Sequence, residues 1–416
     1  MTWKRLPILL LIAATTLPVA AGVMELPLGD PERRERQVEL VLDGIVDAHK
    51  GDTIAPDELA ARLDEVSLVL FGESHTSMPV HRAQLRLIRA LNERGRSVMI
   101  GLEMYPATEQ AHLDRWSRGY MTEEGFVEDS EWYRSWGYHW GYYRDIFLYA
   151  REHRIPMHAV NVPPKIVRAV REKGYDGLSE EEAAFVPGEV DSESADHLRL
   201  FKAFFADADF HNSMSDEQWQ SMLDAQCLWD AAMSHNAIKA LQASEAERPV
   251  MVVLVGSGHL AYDLGLQRQA RQWFDGPIAT VIPEPVVDPG ETTAKKVQAS
   301  YADFLWGLPE EREPLYPYFG ASTRLSDDEH REVVFVAPDS VAALSGLQVG
   351  DVVLAVKGQA IDSKLRMNRI LASLEWGDSV PVQVRRGEET LELMAHFRRT
   401  LPSDDEDEDA SAEDGE

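Results

Sequence analysis

The residues best placed to do chemistry are Glu73 and His75 in Gly72-Glu73-Ser74-His75, Glu103 in Gly101-Leu102-Glu103-Met104, and His259 in Gly256-Ser257-Gly258-His259. Each follows an apolar run, Leu68 to Phe71, Val98 to Leu102 and Val252 to Val255. A β-branched and aliphatic run closed by glycine reads as a buried strand delivering a polar group at its tip. Glu73 and His75 are two apart on an extended strand end and so point to the same side. Two imidazoles and two carboxylates at such tips have the make-up of a divalent metal site with an open position, or of a histidine–carboxylate acid/base pair. Glu73, His75, Glu103 and His259 are therefore candidate catalytic residues if the protein is an enzyme, and candidate ligands if it holds a divalent metal. A histidine taken singly at a strand end is more often a hydrogen-bonded turn residue; two at matching endings bring the site reading level with that one. Ser74 and Ser257 are poor nucleophile candidates, because neighbours on a strand point to opposite faces and no Gly-x-Ser-x-Gly elbow is present.

Positioning these tips requires an α/β framework. Between residues 38 and 290 short apolar runs alternate with amphipathic stretches, the pattern of a mainly parallel sheet flanked by helices. Strands are expected at Val66–Phe71, Val98–Leu102, Met157–Val160, Val250–Val255 and Ile278–Ile282, and helices at 80–94, Ala107–Ser117, Ile166–Arg171, Leu198–Phe205 and Asp216–Ala243. Ligands of such sheets bind outside the carboxyl ends of the strands, where both histidines fall. In the helix at 224–242, Gln226, Asp230 and Met233 fall at i, i+4 and i+7, one partly polar face. Directed at the strand tips, that face would complete a pocket, with Asp230 orienting a histidine. His211-Asn212 ranks lower as a contributor.

The 416 residues suffice for two or three domains with full cores. Nine of the 30 net negative charges sit in Asp404 to Asp409, Glu413, Asp414 and Glu416, a segment with nothing apolar to bury. No basic stripe offsets the acidity, which argues against a nucleic-acid partner. Lys4 and Arg5, the apolar run Leu6 to Val19 and the small residues before Gly22 have the form of a cleaved secretory signal. Export across an inner membrane into the periplasm is the corresponding expectation. Cys227 is the only cysteine, so there is no intrachain disulfide and no cysteine beside the cleavage site to carry a lipid. The expected division is a signal peptide at 1–21, an N-terminal helical extension at 22–59, the α/β domain at 60–290, a linker at 291–311 with a short helical connector near Ala299–Trp306, a second domain at 312–398, and a disordered acidic tail at 399–416.

Two resemblances sharpen this division. Glu332 to Ser340, Ala342-Ala343, Ser345-Gly346-Leu347 and Val349-Gly350-Asp351 followed by Val352 to Val356 resemble a β-rich α+β PDZ domain of the bacterial protease type. That resemblance puts Tyr318, Phe319 and Gly320 at the carboxylate-binding loop, and implies a C-terminal or extended peptide added as a strand to a sheet edge. Phe71 to His75, the helix beginning near Val80-His81, Gly101 to Met104, the run Ser135 to Tyr143, Ala159 to Pro163, Ala225 to Met233 and Val255 to His259 together resemble the ChaN-like haem-binding uptake family. That family lies within the Tiki/TraB and erythromycin-esterase superfamily.

The second resemblance implies iron-porphyrin binding outside the cytoplasm, with a tyrosine among the residues that bind iron. Haem wants apolar faces, cations near its propionates and an axial histidine or tyrosine. Residues 132–149 offer Trp132, Tyr133, Trp136, Tyr138, His139, Trp140, Tyr142, Tyr143 and Tyr149 with Arg134 and Arg144 interleaved, although aromatics so spaced also pack cores. The resemblance makes Tyr143 the preferred ligand, with Tyr142 and His139 as rivals. A haem pocket would draw on these residues, Arg144, His75, His259, Gln226, Asp230 and Met233, and a homodimer is compatible with it. Non-enzymatic haem binding with peptide recruitment is the favoured expectation. A metal-dependent or acid/base hydrolase using His75, His259, Glu73 and Glu103 is the alternative.

Overall fold

The computed structural model describes residues 21–206, 211–287, 295–311, 313–325 and 330–399. The expected signal peptide, apart from its last residue, and the acidic tail from 400 onward lie outside the described residues. The described chain forms two compact units that divide between residues 311 and 313. Among the described residues no helix is long and apolar enough to cross a membrane.

The strands of the first unit are β1 (Gln37–Glu39), β2 (Ile45–Asp47), β3 (Asp52–Ile54), β4 (Leu68–Glu73), β5 (Ser97–Pro106), β6 (Met157–Asn161), β7 (Pro249–Gly256), β8 (Ile278–Val286), β9 (Lys296–Gln298) and β10 (Phe304–Pro309). Eight of them make one sheet in the order β3-β2-β10-β8-β4-β7-β5-β6. From β10 to β6 every pairing is parallel, while β2 and β3 add an antiparallel edge. The central strands β4 and β7 are continuous apolar runs because helices cover both faces. This is the mainly parallel α/β architecture expected, and all five expected strands are present.

Two expected segments are built differently. Residues 22–59 are not a helical extension: they carry β1, β2 and β3, and the first α-helix begins only at Pro56. Nor is 291–311 a linker with a helical connector. Its described part supplies β9, paired with β1, and β10, whose Leu305 is fully buried beside β8. The physical reason is a shared core, since Val38, Leu40, Val46, Val297, Ala299, Tyr301 and Leu305 pack into the cluster that also holds Leu70, Val253 and Ile282. Arg33 fixes the same segments by donating to the carbonyls of Ala299 and Ala302 and pairing with Asp30, Asp263 and Asp303.

Two helices of this unit bear on the site. α1 (Met78–Glu93) buries His81 and Gln84 along with Val80, Leu87, Ile88 and Leu91. α2 (Asp216–Gln242) starts at a Ser215/Gln218 capping box and touches three apolar clusters on different sides. A helix so enclosed must find partners inside the protein for each polar side chain it carries.

The second unit is a six-stranded antiparallel sheet of β11 (Ala321–Leu325), β12 (Arg331–Val336), β13 (Val352–Val356), β14 (Gln359–Ala360), β15 (Ser379–Arg386) and β16 (Glu389–His396). One helix, α3 (Lys364–Ala372), covers it with Met367 and Ile370. Asp351, 1% exposed, anchors the turn into β13 through two bonds from Arg386, at 2.7 and 2.8 Å.

Candidate functional site

The carboxyl ends of β4, β5 and β7 lie side by side, with Glu73 opposite Gly256 in the register. Their close approach depends on Gly72, where a β-carbon would stand 2.6 Å from the Ser257 hydroxyl. Two buried polar networks grow from these tips.

The first centres on Glu73. Its Oε1 accepts from His75 Nδ1 at 2.8 Å and from the Tyr143 hydroxyl at 2.6 Å, and its Oε2 accepts from Gln84 Nε2 at 2.8 Å. Burial pushes the Glu73 pKa up, but the His75 hydrogen bond, the charges of His81 and His75 and the Gln84 amide outweigh it and hold the carboxyl down at about 2. Because a carboxylate only accepts, His75 donates through Nδ1. His81 places Nε2 3.2 Å from the His75 carbonyl and Nδ1 3.1 Å from the Gln84 oxygen.

The second network centres on His259, on the 3₁₀ turn after β7. Its Nδ1 meets Asp230 Oδ1 at 2.5 Å and Gln226 Nε2 at 2.8 Å. Its Nε2 faces Glu103 Oε1 at 3.6 Å, too far for a hydrogen bond, and is buried without a hydrogen-bond partner. Glu103 spends Oε2 on the Gly256 N–H at 2.8 Å, which ties β5 to β7. Burial disfavours the imidazolium of His259, but the Asp230 charge and hydrogen bond, and then Glu103, raise its pKa. Each histidine is thus oriented by a carboxylate at Nδ1, an arrangement that presents Nε2 for proton transfer.

These placements bring Asp230, expected to orient a histidine, to His259, and they correct four expectations. Met233 packs in the apolar core and reaches neither network. Glu73 and His75 sit in one network and Glu103 and His259 in the other, and no group of three or more His, Cys, Asp or Glu among the described residues is gathered to hold a metal ion. Arg144 is a surface residue bound to Glu123 through two nitrogens, at 2.6 and 2.9 Å. Tyr143 is wholly buried with its hydroxyl committed to Glu73; burial, then the Glu73 charge and hydrogen bond, raise its pKa far above the usual phenol value. Its hydroxyl is turned inward on Glu73 and not toward a surface where a ligand could meet it.

The aromatic stretch divides in two. Trp132, Trp140 and Phe147 pack with Trp116 and Phe126 as ordinary core. Tyr142, also buried, sits 5.9 Å from the His81 ring. Trp136 and Tyr138, both half-buried, lie against His75 with ring centroids at 4.7 and 5.0 Å, and half-buried His139 follows, accepting from Gly141 N–H through Nδ1. His211 lies against Trp219, 5.2 Å between centroids with the rings tilted by 60°. Sequence reasoning missed His81 and Gln84 as site residues. Their signal was the i, i+3 pair of polar side chains on the apolar face of α1.

Residues 59–269 match the family described as haem-binding uptake, Tiki superfamily, ChaN. The chain belongs to this family. Residues 317–396 match the PDZ domain, so the ChaN-family unit is followed by a PDZ unit. Among solved structures, the chain is similar to ChaN of Campylobacter jejuni, in a structure describing cofacial haem binding: 17% identity, TM-score 0.48, over 63% of this chain and 95% of that one. It is also similar to a serine endoprotease from Yersinia pestis, at 25% identity and TM-score 0.18 over 20% of this chain and 29% of that one. A third is the HtrA3 PDZ domain bound to a phage-derived ligand, at 19% identity and TM-score 0.18 over 19% of this chain and 83% of that one. No curated protein matches the chain. In the PDZ unit the expected loop has Tyr318 47% exposed, Phe319 buried and Gly320 at φ +83°, where a β-carbon would collide with Ser340 at 2.2 Å.

Proposed function

We propose that this protein binds haem in the periplasm as part of iron acquisition or haem handling, and that its PDZ unit recruits a C-terminal or extended peptide. Membership of the ChaN family, matched over residues 59–269, carries this reading. The residues fit haem at one place, the half-buried loop 136–139: Trp136 and Tyr138 offer an apolar face, and Tyr138 and His139 offer axial donor atoms. Bound there, haem would contribute ferric iron open to a phenolate or imidazole. The protein's own part is to hold the loop, through His75 packed beneath Trp136 and Tyr138 and fixed in turn by Glu73.

Titration of the mature protein with ferric haem tests the reading. The expected result is a Soret shift that survives Tyr143→Phe and is displaced or lost in Tyr138→Phe or His139→Ala. No shift in the wild-type protein refutes haem binding. Cell fractionation that leaves the protein in the cytoplasm refutes the location.

The buried, unpartnered Nε2 of His259 beside Glu103 favours a second reading, acid/base hydrolysis. Ester or peptide turnover that disappears in His259→Gln would support it. Its absence from a haem-binding wild type would leave the first reading alone.

A further inference from the structure

The PDZ unit carries two cations, Arg331 and Lys364, without counter-ions among the described residues, and Arg331 stands against a strand with an open edge. β11 pairs with β12 alone, so among the described residues its outer edge has no strand partner. Along β11 the two sides differ. On one side Arg324 is neutralised across the ladder by Glu332 at 2.8 Å. On the other, the side of buried Thr323, stands Arg331, which is 8% exposed. Its guanidinium donates to the Thr323 carbonyl at 2.7 Å and to the Thr323 hydroxyl at 2.9 and 3.0 Å. These acceptors are neutral. Among the described residues no carboxylate lies within ion-pair distance of Arg331, or of Lys364, the first residue of α3. Burial and then the Arg331 charge lower the Lys364 pKa, which puts the two cations in each other's field. The amino end of α3, nine residues long, adds partial charge of the same sign. Buried cations are ordinarily paired, because desolvation without a counter-ion is costly.

We infer that this edge selects a peptide carrying Asp or Glu two residues before its free C-terminus. The inference rests on the reading of the PDZ unit as a peptide-recruiting module. A strand added antiparallel to β11, with its terminal carboxylate at the loop ending in Gly320, sets its last residue opposite Ala321 and its third-last opposite Thr323. Directly opposed residues of an antiparallel pair point to the same face. The third-last side chain therefore points to the side of Arg331 and Lys364, and the second-last to the side already neutralised by Glu332.

Fluorescence anisotropy with the full chain tests this, using labelled octapeptides with a constant apolar C-terminal residue and Glu, Gln or Lys at the third-last position. Glu should bind at least about fivefold tighter than Gln, and Lys more weakly still, with the preference shrinking in high salt. Moving the Glu to the second-last position should abolish the preference. Lys364→Ala should reduce it, and Lys364→Glu should shift it toward the Lys peptide, with thermal melts confirming that both variants fold. Binding of all three peptides within twofold of one another overturns the inference while leaving peptide recruitment intact. No binding of any peptide overturns recruitment, and this inference with it.

Discussion

Replacing Glu73 by Gln tests the first network quantitatively. The substitution keeps the shape but removes the charge that accepts from His75, Tyr143 and Gln84. The carboxyl falls from an ordinary 4.5 to about 2 in the folded protein. At about 1.4 kcal/mol per unit, the ionised form contributes about 3 kcal/mol to folding at neutral pH. Because the folded value lies below the unfolded one, this contribution is fully present above pH 4.5 and is lost as pH falls through about 2; at pH 3 less than half of it remains. Gln also turns an amide N–H toward a donor, so the loss at pH 7 should be no smaller than the linkage figure. Urea unfolding followed by tryptophan fluorescence, with Trp136 against His75 as a local reporter, gives both curves. The expected outcome is a gap of about 3 kcal/mol at pH 7 that at least halves by pH 3. A variant as stable as wild type at pH 7, or a gap that does not change with pH, would refute the account of Glu73 as a buried anion held by its donors.

Asp230→Asn should act with the opposite pH dependence. The His259 pKa is raised above 6.5, so the stability gained from its charged form is present below that value and fades as pH rises through the folded one. The variant should lose about 3 kcal/mol at pH 6, with the gap narrowing in alkaline buffer; denaturant midpoints across pH 6 to 10 read it. Gly265→Ala should destabilise the α/β unit by about 1–3 kcal/mol, because the new methyl would stand 2.1 Å from the His259 carbonyl and 3.0 Å from Asp230 Oδ2. Its melting temperature should fall, and the emission of Trp229, 5.1 Å from the His259 ring, should shift.

Much of this molecule was legible in the chain because its signals are local. An unbroken aliphatic run closed by glycine defines a strand buried on both faces wherever it sits, so β4 and β7 were readable; shorter apolar runs marked β5, β6 and β8, and the tips bearing Glu73, Glu103 and His259 came with them. The i, i+4 relation of Gln226 and Asp230 is a helical property, and it brought both to His259. Residues 22–59 and 291–311 were misread because β1, β2 and β9 are three residues long, and the β1–β9 and β2–β10 pairings reach across some 250 residues of chain.

The sequence by itself determined which side chains arrive at the carboxyl edge, since strand period and helix period are set by the backbone. Only the tertiary structure decided how they are shared out. Packing α1 against β4 gave Glu73 to His75, Gln84 and Tyr143, and packing α2 against β7 gave His259 to Asp230. The same packing buried Tyr143 and left Trp136, Tyr138 and His139 half-buried. A side chain's exposure and partners depend on elements far away in sequence, and those settle whether it can meet a ligand.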